Sequence, residues 1–128
     1  MDSKGITIRA SPWSVRETID RVVALLVERK ITVYARINQQ SEAQNAGLKI
    51  APLEFVLFGN PKAGGPVMAE NPVAALDLPL KIIAWEDAAK KVWIAYNAAA
   101  WLEDRHSLPH DLMRPLDLDA LVANILTT

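Results

Sequence analysis

The stretch Leu80-Lys81-Ile82-Ile83-Ala84-Trp85-Glu86-Asp87-Ala88-Ala89-Lys90-Lys91-Val92-Trp93-Ile94-Ala95-Tyr96 decides the fold. It holds two strand-length runs, each rich in β-branched and aromatic residues, on either side of a short polar segment. That pattern predicts a β-hairpin, and so an antiparallel sheet. Pairing through a turn at 87–90 sets Ile83 opposite Ile94 and Trp85 opposite Val92. Ile82, Ala84, Trp93 and Ala95 then fall on the other face, and both faces are apolar. The run at 53–58 behaves the same way, with Phe55 and Leu57 on one side and Val56 and Phe58 on the other. A sheet with helices over one face ordinarily turns its polar residues to water on the other. Here the second face calls for cover from the C-terminal tail, a second subunit or a ligand.

Outward from the hairpin, the rest of the chain supplies the partners for such a sheet. Residues 5–10 read as a short strand, with Ile6 and Ile8 alternating against Thr7 and Arg9. Ser14-Val15-Arg16-Glu17 fits a capping box, and Ile19, Val22, Val23 and Leu26 mark one face of a helix ending near Lys30. Residues 31–37 alternate as a half-buried strand, 39–46 form a short polar helix, and Gly47 stops it. The run Phe58-Gly59-Asn60-Pro61-Lys62-Ala63-Gly64-Gly65-Pro66 is predicted to be a tight loop that presents backbone N–H groups and the Lys62 cation. A second helix opens at Gly65-Pro66 and ends by Leu76. Residues 98–106 are helical in pattern, and 108–116, with two prolines, read as irregular. Asp117 or Asp119 caps a last short helix bearing Leu121, Val122 and Ile125.

Composition excludes several classes of function. With 128 residues, 51% of them hydrophobic and 23% charged, the chain fits one domain, 1–128, with a core that needs no staples. The net charge of −1 and the lack of a basic run argue against nucleic acid. No cysteine means no disulfide, thiolate metal site or cysteine nucleophile. No apolar run approaches the roughly 20 residues that cross a bilayer, and Met1-Asp2-Ser3-Lys4-Gly5 lacks the apolar centre of a signal peptide. The expected setting is therefore cytoplasmic, away from membranes.

Residues able to do chemistry are few and scattered. His106 and His110 have i,i+4 spacing, but Pro109 interrupts them and no third ligand is evident, so no metal is expected. His106 suits the negative end of a helix. Glu86 and Asp87 are neighbours on a strand end, which point apart, and Glu103, Asp104 and Arg105 read as a solvated helix surface. Ser11, Ser14 and Ser107 lack a nucleophile elbow. No general base is located, no cofactor is implied, and no catalytic residue is assigned. A candidate ligand site, for an apolar or anionic small molecule, gathers Phe58, Asn60 and Lys62 with Trp85 and Tyr96. The competing expectation for the aromatics, Tyr34, Trp93 and Trp101 included, is packing in core and interface.

The runs Leu57-Phe58-Gly59-Asn60-Pro61-Lys62-Ala63-Gly64, Ala75-Leu76-Asp77-Leu78-Pro79-Leu80-Lys81 and Trp85-Glu86-Asp87, followed by Val92-Trp93, Tyr96-Asn97, Trp101-Leu102 and Arg105-His106, resemble domain-of-unknown-function family 302. The resemblance implies an α+β fold: a five-stranded, mostly antiparallel curved sheet with two main helices on one face. That is similar to TATA-box-binding-protein-like folds, a likeness of architecture that does not carry DNA binding with it. Members often have Ile-Asp-His after the second strand, where this chain has Ile37-Asn38-Gln39 and so lacks both carboxylate and imidazole. The function expected is a non-enzymatic homodimeric domain, with small-molecule binding near residues 60–65 as the alternative.

Overall fold

The computed structural model describes residues 2–127. Its chain order is β1 (Asp2–Ser3), β2 (Ile6–Ser11), α1 (Val15–Glu28), β3 (Thr32–Asn38), α2 (Gln39–Asn45), β4 (Leu53–Gly59), α3 (Pro61–Glu70), β5 (Leu80–Glu86), β6 (Val92–Asn97), α4 (Ala99–Arg105), α5 (His110–Met113) and α6 (Asp119–Leu126), with 3-10 turns at Pro72–Asp77 and Arg114–Leu116. The strands form one sheet in the order β1-β2-β6-β5-β4-β3, every pair antiparallel. The five predicted strands are present, and the two-residue β1 extends the sheet by a sixth.

Helix α1 lies across β3, β4, β5 and β6. Ser14 starts it by accepting a hydrogen bond from the Glu17 backbone N–H at 3.1 Å, while the Glu17 carboxylate turns to Arg21 at 3.7 Å. Its buried residues Ile19, Val22 and Leu26 meet Val56, Phe58, Ile82, Ala84 and Ile94 from the sheet. The C-terminal tail joins this same side: Leu118, Leu121, Val122 and Ile125 belong to the cluster built on Val22, Leu26 and Ile94. The tail is therefore spent on the helix side and does not cover the second face of the sheet. Residues 108–116, read as irregular, contain α5 and a 3-10 turn.

The hairpin register differs from the expected one by one residue. Ile83 pairs with Ala95, Ala84 with Ile94 and Trp85 with Trp93. The Asp87 N–H donates to the Lys91 carbonyl at 2.8 Å, which leaves 88–90 as a three-residue loop. Lys90 takes the left-handed conformation there, φ 66°, the usual way such a loop closes. The Asp87 carboxylate fixes it by accepting from the N–H groups of Ala89 and Lys91, each at 2.9 Å.

The 58–66 stretch also differs from expectation, being helix from Pro61 onward. Asn60 caps it, its side chain accepting from the Lys62 N–H at 3.0 Å. Pro61 stands at the first helical position, where a missing N–H costs nothing. Pro66 and two glycines are absorbed inside the helix, and the predicted N–H-presenting loop does not exist.

Candidate functional site

With the tail residues Leu118, Leu121, Val122 and Ile125 in the helix-side cluster, the other sheet face is built from residues outside both core clusters. Its centre is a cross-strand row: Ile8 pairs with Ala95, Ala95 with Ile83, Ile83 with Phe55, and Phe55 with Ile37. A second row runs Ala10, Trp93, Trp85, Leu53; past the end of the β5–β6 ladder lie two separate sets, the pair Ile6–Asn97 and the run Lys81–Leu57–Ala35. Apart from Asn97 and Lys81, every member of these rows is apolar. None of Ile37, Phe55, Leu57, Ile83, Trp85 and Trp93 belongs to either buried core cluster or packs against one.

The local sequence explains how the face is held. In β2 the phase is inverted: Thr7 and Ser11 are buried toward the helices, while Ile6 is 38% exposed. The Ser11 hydroxyl is satisfied. Thr18 Oγ1 donates to the Ser14 carbonyl at 2.7 Å, so Ser11 Oγ donates to Thr18 Oγ1 at 2.6 Å. The isoleucines are thereby turned outward. Large side chains then shield one another, helped by lysine stems: Lys81 Nζ lies 4.5 Å from the Phe55 ring centre and Lys91 Nζ 5.1 Å from that of Trp93. The Trp93 indole donates to Asp87 Oδ2 at 2.9 Å. That bond, with those from the Lys91 and Ala89 N–H groups, holds the Asp87 carboxyl below its ordinary range.

The five candidate ligand-binding residues do not converge. Phe58 is 1% exposed, in the core. Tyr96 is on the helix side, its hydroxyl donating to Asp119 Oδ1 at 2.6 Å. Burial, then that bond to a carboxylate, pushes its ionisation above the ordinary phenol range. Trp85 is on the opposite face. Asn60 is spent on capping α3, and Lys62 is an exposed residue of its first turn.

Two polar clusters lie elsewhere. In the first, Arg36 Nε donates to Glu54 Oε1 at 3.0 Å and Nη1 to Asp20 Oδ1 at 2.6 Å, around a glutamate only 6% exposed. Burial alone would lower the basicity of Arg36, but the hydrogen bonds from Asp20 and Glu54 and their charges leave it raised. Asn38 lines the cleft beside this pair. Its side chain accepts from the Ser41 N–H at 3.0 Å and so caps α2; at the place where the resemblance puts an Asp-His pair, this chain has a capping residue. In the second cluster, buried His106 is the C-terminal cap of α4 as expected, and its Nε2 lies 2.6 Å from Asp77 Oδ2. Arg105 Nη1 reaches the same carboxylate at 3.1 Å, and Asn71 Nδ2 donates to the His106 carbonyl at 3.0 Å. His110 has a different partner, Glu103 at 2.9 Å. Among the described residues no group of three or more His, Cys, Asp or Glu is arranged to hold a metal. The Asp77 pairing spans 29 positions and has no local sequence signal; only its presence in a stretch carrying the family resemblance marked it.

Comparison with known proteins gives three results. A crystal structure titled as an uncharacterized conserved protein DUF302 from Bacillus stearothermophilus superposes with a TM-score of 0.79 at 19% identity, covering 97% of each chain. That likeness shows the fold. Curated proteins named fluoride-specific ion channel FluC 1 align with 42% identity over 84% of this chain, in Brucella suis biovar 1 (strain 1330) and Brucella abortus biovar 1 (strain 9-941). The chain spans only 42% and 40% of their lengths. A family model described as domain of unknown function DUF302 matches residues 6–125. Since that match runs from the first long strand into the last helix, the chain belongs to the DUF302 family.

Proposed function

We propose that this chain is a non-enzymatic domain that pairs with a second copy of itself through its open sheet face. The row Ile8–Ala95–Ile83–Phe55–Ile37 carries the reading, because it is apolar throughout and four of its five members, all but the buried Ala95, keep partial exposure outside both core clusters. A two-fold pair is the commonest way for a chain to hide such a surface. The polar clusters favour binding over catalysis, since Asp77 and Glu54 are each committed to basic partners in the fold. Strand spacing and rise give the face a footprint of about 500 Å2 per subunit. That is below the roughly 800 Å2 per partner of a standard-size interface, in the range of weak, transient pairs. Sedimentation across a concentration series tests it. A monomer–dimer equilibrium that Ile83→Glu abolishes, with the circular dichroism spectrum retained, is the expected result; a monomer at every concentration refutes it.

A second observation gives the domain a setting. Its curated relatives are named fluoride-specific ion channels and continue well beyond the portion it spans. No helix among the described residues is long and apolar enough to cross a membrane, so the domain supplies no helical pore. We infer an accessory role beside an anion channel. Fluoride tolerance of cells carrying such a two-part protein should fall when this domain is deleted with channel abundance unchanged; undiminished tolerance removes the inference.

A further inference from the structure

We propose that the cleft between the Pro72–Asp77 turn and the start of β5 binds a small monoanion with a short apolar body, a short-chain aliphatic carboxylate. The cleft has a volume of about 220 Å3. One water needs about 10–15 Å3 of such volume, so the cleft has ample room for a short aliphatic acid. Its apolar walls are Leu57, Leu76, Leu78, Pro79, Leu80 and Leu118. Three polar side chains join them: Asp77, Lys81 and Asn97.

These three differ in what they offer. Asp77 already accepts from Arg105 and pairs with His106, so its charge is met from within the fold. Lys81 and Asn97 come from the separate pairs Leu57–Lys81 and Ile6–Asn97, just past the end of the β5–β6 ladder. Both are exposed, and both bring N–H donors. The Lys81 ammonium rests over the Phe55 ring at 4.5 Å. A cation–π contact at an exposed site is weaker than a charge-assisted hydrogen bond, so a carboxylate in the cleft draws the ammonium off the ring. A lining that combines these donors with leucines selects an anion that carries a few carbons, over chloride or an amine.

Titration of the 15N,13C-labelled chain with butyrate and hexanoate tests this, with chloride and butylamine as controls and sedimentation run alongside to separate ligand binding from pairing. The expected result is saturable shifts at residues 76–81, 97 and 118, with the Phe55 ring protons moving as the ammonium leaves. Hexanoate should bind more tightly than butyrate. Lys81→Met should weaken binding by about tenfold or more, with the rest of the spectrum unchanged; Asn97→Ala gives a second reading of the same donor set. Shifts that do not saturate, shifts centred elsewhere, butylamine binding as well as butyrate, or undiminished binding by both variants would each overturn the proposal.

Discussion

Tyr96 shows how much a single residue can conceal. Its aromatic ring is read easily from the sequence, but the partner of its hydroxyl, Asp119, is 23 positions away on the last helix. Removing the hydroxyl leaves Asp119 facing solvent, with no buried charge orphaned, so Tyr96→Phe should cost only about 1 kcal/mol in urea unfolding. The pH dependence has a definite sign. Because the folded phenol ionises above its ordinary value of 10.0, its contribution is complete below pH 10 and is lost as pH rises toward the folded value. Wild type should therefore lose stability above pH 10 by a component that Tyr96→Phe lacks, and phenolate absorbance in a Tyr34→Phe background should lag behind that of the unfolded chain. Arg36 behaves differently, because its partner Glu54 is buried. Arg36→Met leaves that carboxylate unpaired and should cost about 2 kcal/mol, discounted for the partial exposure of the arginine. Adding Glu54→Gln should restore part of the loss in thermal denaturation.

At the scale of elements, helix α1, the alternating β3 and the Gly47 stop were legible because each is written in local periodicity. The hairpin register was not, because it depends on the Asp87 side chain capturing three N–H groups and on Lys90 adopting a positive φ. A slip of one residue normally exchanges inside for outside. Here both phases of β5 and β6 are apolar, so the two-sided character survived the error while the occupants of β6 changed face. The first turn of α3 was read as a loop, and the helix as opening only at Gly65-Pro66, because its glycines and Pro66 outvoted the Asn60 cap. Two glycines test the difference between requirement and tolerance. Gly5 has φ +78°, and an added Cβ would collide with Trp101 of α4; Gly5→Ala should cost more than about 3 kcal/mol or prevent folding. Gly65 is in a helix, and an added Cβ would meet nothing within 4 Å. Gly65→Ala should gain about 0.5–1 kcal/mol, raising the thermal midpoint by about 4 °C.

For the whole molecule, pairing through the open face has a consequence that equilibrium unfolding can read. If two folded copies share that surface, the thermal midpoint should climb with protein concentration, and Ile83→Glu should flatten the dependence. The fold class was recoverable from the sequence because apolar alternation specifies a sheet wherever strands are short and turns are marked. The cleft beside Asp77 was not, since its walls come from strand ends, a 3-10 turn and the segment before α6, which only the completed chain brings together.

The sheet order has a further consequence for biosynthesis. Strand β2 is made early, yet its long neighbour is β6, whose residues are synthesised more than eighty positions later. Until Val92–Asn97 leaves the ribosome, the N-terminal strand has no seat, while β3, β4 and β5 can already zip together in sequence. Strand β2, the earliest long strand of this chain, is thus the last to dock, and assembly of the native sheet waits on a non-local closure that slows folding.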